Sequence, residues 1–90
     1  MNKITVSIQK TSNPKIIKFE ADTSLIKYES FEFSNIDDAK NSPLAQQLFH
    51  LPFVKKVYVS GNFVAIERYD IIEWSDVQTE VGEQIENYLN

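Results

Sequence analysis

The sequence predicts an α+β fold: a two-layer sandwich with a mainly antiparallel sheet of about four strands and two helices on one face, in the order β-β-α-β-β-α. Three observations predict it. Short runs alternate apolar and polar residues with the period of a half-buried strand. Ser60-Gly61-Asn62 stands between two such runs as a hairpin turn, with glycine supplying positive φ cheaply. The segment from Glu73 to Leu89 separates apolar from acidic residues at the helical period. Ninety residues hold one domain, 1–90, without linker, repeat or second unit.

In chain order, Ile4-Thr5-Val6-Ser7-Ile8 is the first strand. Thr11-Ser12-Asn13-Pro14 breaks it, because Asn and Ser side chains close turns on the backbone and proline biases Asn13 to an extended conformation. Lys15 to Glu20 returns as the second strand. From Ala21 to Glu32 two signals compete: Leu25, Tyr28 and Phe31 recur every three residues, while Phe31-Glu32-Phe33 alternates. Irregular structure leading into a short strand at the phenylalanines is the expectation. Ser34 or Asn35 caps a turn through Asp37-Asp38-Ala39-Lys40. Ser42 caps a helix and Pro43 occupies its first position, where a missing N–H costs nothing. That helix runs from Leu44 to about His50, turns Leu44, Ala45, Leu48 and Phe49 to the sheet, and ends before Pro52. Val54–Val59 and Phe63–Tyr69 form the clearest hairpin. In the last helix Trp74, Val77, Val81, Ile85 and Tyr88 form the packing stripe, and Glu73, Asp76, Glu80 and Glu83 face water.

Composition excludes several function classes. The chain has no cysteine, so disulfides, thiol nucleophiles, redox pairs and thiolate-held zinc or iron–sulfur clusters are out. No apolar run approaches a membrane span, and Met1-Asn2-Lys3-Ile4 lacks the apolar region of a signal peptide. A cytoplasmic location is the expectation. The net charge of −4 is uneven: residues 67–90 hold Arg68 against seven acids. That balance argues against nucleic acid or a membrane surface as partner; it serves solubility or docks a basic partner.

No nucleophile–base pair can be argued. His50 is the single histidine, placed at a helix end where it answers free carbonyls more simply than it serves as a ligand or base. Asp37-Asp38 point apart on a helical turn and read as solvated. Lys55, Lys56 and Tyr58 are too few for a nucleic-acid patch, and adjacent strand residues face opposite sides. Trp74 reads as core, with a partly exposed partner contact as the rival.

Two segments go beyond pattern. Thr11-Ser12-Asn13-Pro14-Lys15-Ile16-Ile17-Lys18-Phe19 resembles the T-x-N-P-x-x-x-K-F signature of the N-terminal domain of NifU-like (Nfu) iron–sulfur scaffold proteins. Ser42-Pro43-Leu44-Ala45-Gln46-Gln47-Leu48-Phe49 is similar to that family's S-P-L-A-x-x-L-F helix. Val54, Val57, Phe63-Val64 and the single Trp74 follow in the family's order. Phe53 departs, standing where the family usually has glycine, and Ala21–Glu32 matches nothing quotable. In that family the cluster sits on a separate domain with a C-x-x-C motif. The resemblance therefore implies a non-catalytic accessory domain in iron–sulfur cluster assembly or delivery, binding no cofactor itself; iron binding is implied for the family. Its partners would be a cysteine-bearing Nfu C-terminal domain, in cis or trans, and client apoproteins or assembly factors. Thr11, Asn13, Pro14, Lys18, Phe19, Ser42, Pro43, Leu44, Glu73, Trp74, Asp76, Glu80 and Glu83 are the candidate signature or partner-binding residues. The rival readings are a small adaptor or regulatory module outside iron–sulfur chemistry, and a minor enzyme or metal domain resting on His50 and the acids.

Overall fold

The structure, a computed structural model, describes residues 3–25 and 29–90. Among the described residues alternation lays down five strands rather than about four: β1 (Val6–Lys10), β2 (Ile16–Ala21), β3 (Ser30–Phe33), β4 (Val54–Ser60) and β5 (Phe63–Arg68). The extra one is the short strand at the phenylalanines. Tyr28, the middle residue of the competing helical period, lies outside the described residues. Two helices complete the fold, α1 (Pro43–Phe49) and α2 (Trp74–Leu89). The strands form a single antiparallel sheet in the order β1-β2-β5-β4-β3.

Strand β1 begins later than the alternation suggests. Its register runs on to Lys10 opposite Ile17, because the turn closes only at Asn13, where the Ile16 N–H donates to the Asn13 carbonyl at 3.0 Å. Lys15 belongs to that turn: its N–H donates to Asn13 Oδ1 at 2.9 Å.

Alternate residues bury one face of the sheet. Ile17, Phe19 and Ala21 of β2, Val64 and Ile66 of β5, and Val57 and Val59 of β4 turn inward, and their neighbours stay half-exposed. Over that face α1 brings Leu44, Ala45 and Leu48, and α2 brings Trp74, Val81 and Ile85. Side chains such as Phe19 and Ile66 each contribute about 1.5–3 kcal/mol by leaving water. Ser42 caps α1 by accepting the Ala45 N–H at 3.4 Å, with Pro43 in the first turn.

The stripe of α2 ends differently from the prediction. Leu89 packs on the core and Tyr88 is 43% exposed. At about 100° per residue, Leu89 sits about 40° from Ile85 around the helix, and Tyr88 about 60° to the other side. Gly82 completes the buried stripe, close to the side chains of Ile8 and Phe19.

The Lys55-Lys56 pair also departs from simple alternation. Val54 lies opposite Arg68 and Lys56 opposite Glu67, so Lys55 is the extra residue of a β-bulge. The bulge lets both lysines reach carboxylates on the open face: Lys55 Nζ lies 3.6 Å from Glu67 and Lys56 Nζ 3.5 Å from Glu32.

Candidate functional site

Three chain segments meet at one end of the sheet: the turn from Thr11 to Lys15, the loop after β5, and the start of α2. The turn is built by its own side chains. Thr11 Oγ1 accepts the Asn13 N–H at 3.2 Å and lies 2.9 Å from the carbonyl oxygens of both Asn13 and Ile16. Its single proton serves one of them at a time. The turn is thus specified by Thr, Asn and Pro together, as an Asx-type closure.

Trp74 joins this turn to α2. It is 4% exposed, and its indole Nε1–H donates to the Lys15 carbonyl at 2.8 Å. Its ring meets Phe19 and Phe53 edge-on, with centroids 6.0 and 5.9 Å apart. Trp74 is therefore an internal pin and not an exposed partner contact. Phe53, the departure from the family pattern, completes the aromatic cluster. Thr11, Asn13, Pro14, Glu73 and Trp74 all border one cleft of about 380 Å³ between the turn and the helix.

Arg68 escaped the sequence reading. It is 7% exposed, on the same side of β5 as Val64 and Ile66. Its Nη2 donates to Glu73 Oε2 at 3.3 Å, and its Nη1 donates to the Tyr69 carbonyl at 3.2 Å and lies 3.6 Å from Asp70. Asp70 also takes Lys15 at 3.2 Å, which ties the β5–α2 loop to the turn. Among the described residues, the buried Nε of Arg68 has no partner. The signal was available: an arginine at a core-parity position of a strand needs a paired site. Glu73 precedes α2 as its N-cap and makes no capping bond, because its carboxylate goes to Arg68. Its carboxylate stays exposed to water while it pairs with Arg68.

The other candidates lie elsewhere. Lys18 and Phe19 point to opposite faces, Phe19 into the core and Lys18 over the Phe63 ring at 4.5 Å. Ser42 and Pro43 start α1, and Leu44 is core. Asp76, Glu80 and Glu83 are exposed along α2. Glu80 and Glu83 border a polar notch with Gln47 of α1. Among the described residues no group of three or more His, Cys, Asp or Glu is placed to hold a metal ion. No described helix is long and apolar enough to cross a membrane. Tyr58 has a raised pKa, chiefly because burial penalises the phenolate and further because its hydroxyl bonds to Glu32, whose charge adds to the effect. The arrangement offers shaped, charged and apolar surface for contact.

The profile of the family described as scaffold protein Nfu/NifU N terminal matches residues 6–90. An iron-sulfur cluster scaffold homologue of Drosophila erecta, named mitochondrial NFU1, is 35% identical over 77 residues, covering 84% of this chain and 27% of its own. Mitochondrial NifU-like protein 4 of Arabidopsis thaliana is 26% identical over 76 residues, with the same coverage. The chain thus spans about a quarter of the length of these relatives. Among solved structures, a NifU-like protein of Saccharomyces cerevisiae superposes with a TM-score of 0.82 at 23% identity, covering 99% of this chain and 83% of its own. A Staphylococcus aureus protein solved by X-ray superposes at 0.75 with 18% identity, covering 90% and 98%. At these identities the two structures support the fold. The mitochondrial names of the curated relatives overturn the cytoplasmic expectation. Lack of cysteine tells against a disulfide scaffold and does not distinguish one reducing compartment from another.

Proposed function

The chain belongs to the Nfu/NifU N-terminal family, and from that premise we propose that it is a non-catalytic interaction domain serving an iron–sulfur cluster scaffold. The observation that carries this reading is the family match across residues 6–90 in a chain with no cysteine. A cluster needs thiolates or equivalent ligands, so in this reading it sits on a separate cysteine-bearing domain. The present domain presents that domain, or the cluster it carries, to client apoproteins or assembly factors. If the two domains are joined, the linkage raises their effective concentration to the millimolar range. The mitochondrial compartment named for the relatives is the one this reading assigns.

Two surfaces suit such contacts. One is the cleft where Thr11, Asn13 and Pro14 meet the start of α2. The other is the acidic side of α2 with Asp76, Glu80 and Glu83, which complements a basic partner. Ser42, Pro43, Leu44, Phe19 and Trp74 act beneath these surfaces as shape-giving residues.

Anaerobic NMR titration of the labelled domain with a cluster-bearing scaffold domain, and separately with client apoproteins, tests the proposal. Shift changes clustered on either surface are expected. Unchanged spectra with every partner at high concentration would sink it.

A further inference from the structure

The sheet has two edge strands, and the fold treats them differently. On the β1 side the end of α2 plugs the start of the outer edge. The Val6 N–H donates to the Glu86 carboxylate at 3.0 Å. The Ile4 N–H donates to Asn90 Oδ1 at 3.0 Å, and the Asn90 amide returns a bond to the Ile4 carbonyl, also at 3.0 Å. On the other side the sheet ends at β3, which among the described residues pairs with β4 alone. An edge strand leaves a row of N–H and C=O groups for water, a side chain or another strand to satisfy. Such edges are commonly guarded by shortness, charge, proline or a bulge; β3 is short and carries Glu32 as its guard. Residues 29–38 contain neither lysine, arginine nor proline; they hold Glu29, Glu32, Asp37 and Asp38.

The side chains define what would pair there. Phe31 and Phe33 stack with ring centroids 6.0 Å apart, and Phe31 is 42% exposed. Both border a groove of about 430 Å³ between β3, the start of α1 and the end of α2, where Val59, Leu44, Tyr88 and Leu89 also lie. On the opposite side of the strand Glu32 is half-exposed beside Lys56.

We propose that the free edge of β3 accepts an extended partner segment of alternating apolar and basic residues as a sixth strand. The partner's backbone takes the outward N–H and C=O groups. Its alternate side chains then fall on the two faces of the sheet. Apolar ones extend the Phe31–Phe33 stack over the groove, and basic ones meet Glu32 on the opposite face. This deepens the interaction-domain reading and rests on it for the partner's identity, but not for the chemistry of the edge.

The test is an NMR titration of the labelled chain with a blocked octapeptide of alternating valine and lysine. A matched peptide, N-methylated on the amides that would face β3, serves as control. Shift changes are expected to centre on Ser30–Phe33 and on Tyr88 and Leu89, with outward β3 amides exchanging at least tenfold more slowly. N-methylation should weaken binding at least tenfold. Phe31→Lys and Glu32→Lys, both at exposed positions and checked for folding by circular dichroism, should each weaken it at least threefold. Absence of binding at millimolar peptide overturns the proposal. So do shifts confined to Asp76, Glu80 and Glu83 with equal affinity for both peptides, which is charge adsorption on α2. A productive titration with the scaffold domain that leaves β3 unmoved overturns the edge while sparing the interaction-domain reading.

Discussion

Replacing Trp74 separates two contributions that the structure places on one side chain. The indole is 4% exposed, donates to the Lys15 carbonyl at 2.8 Å, and meets Phe19 and Phe53 edge-on. Trp74→Phe keeps an aromatic ring and removes the donor. The Lys15 carbonyl is not orphaned, because the Arg68 N–H also donates to it at 3.0 Å. The loss is therefore one net hydrogen bond, about 1 kcal/mol, plus the smaller ring, for about 1–2.5 kcal/mol together. Trp74→Ala removes the ring and leaves a cavity, which costs about 3–5 kcal/mol. A domain of this size has a total stability of about 5–13 kcal/mol. The alanine variant thus keeps a fraction of its stability, and the phenylalanine variant melts roughly 4–20 °C lower. Urea titration followed by circular dichroism reads both, since the fluorophore itself is removed. An alanine variant within about 1 kcal/mol of the parent would refute the claim that this cluster anchors the fold. A phenylalanine variant as damaged as the alanine one would refute the division between ring and hydrogen bond.

The Arg68 site should respond asymmetrically. Its guanidinium is buried while its partners Asp70 and Glu73 are exposed, so Arg68→Met frees carboxylates that simply rehydrate, and a change within about 1 kcal/mol is expected in urea melts. Asp70→Asn with Glu73→Gln strips the buried cation of its carboxylates and should cost about 1–3 kcal/mol; equal effects from the two variants would refute the asymmetry. Gly82→Ala should stabilise the chain by about 0.5–1 kcal/mol, because the added methyl meets Ile8 and Phe19 at ordinary contact distances of 3.6–3.7 Å and helix propensity improves; a lowered melting temperature would contradict this. Tyr58 has its folded pKa raised above the ordinary 10.0, chiefly by burial and then by Glu32. Its contribution is complete below pH 10 and is lost as pH rises through the folded pKa. Stability should therefore fall in the alkaline range less steeply in Tyr58→Phe than in the parent; identical alkaline melting profiles would remove Tyr58 as the cause.

Several features of the candidate site were legible because they are local. Thr11, Asn13 and Pro14 close their turn with their own atoms, and Ser42 and Pro43 start α1 from neighbours three residues away. Glu73 stays exposed as the helical period predicts, but its pairing with Arg68 of β5 spans a loop that periodicity does not read. The opposed directions expected of Lys55 and Lys56 failed because strict alternation has no place for a bulge. Tyr88 exchanged places with Leu89 for a similar reason: the helical period defines a stripe, but the neighbouring surface selects which flank of it is covered.

By itself the sequence determined the α+β class, the helix starts, the β4–β5 hairpin and the family. Each is written in periods of two or 3.6 residues, or in short signatures that act over a few positions. Only the tertiary structure decided that β3 becomes the outer fifth strand, that the inward Trp74 bonds the Lys15 carbonyl, and that Arg68 is buried among carboxylates. It also decided that α2 plugs the start of one edge of the sheet, while among the described residues the β3 edge pairs with β4 alone. Those outcomes join residues far apart in the chain, such as Val6 with Glu86. Their free energies depend on where the layers bring the groups together, which no local pattern contains.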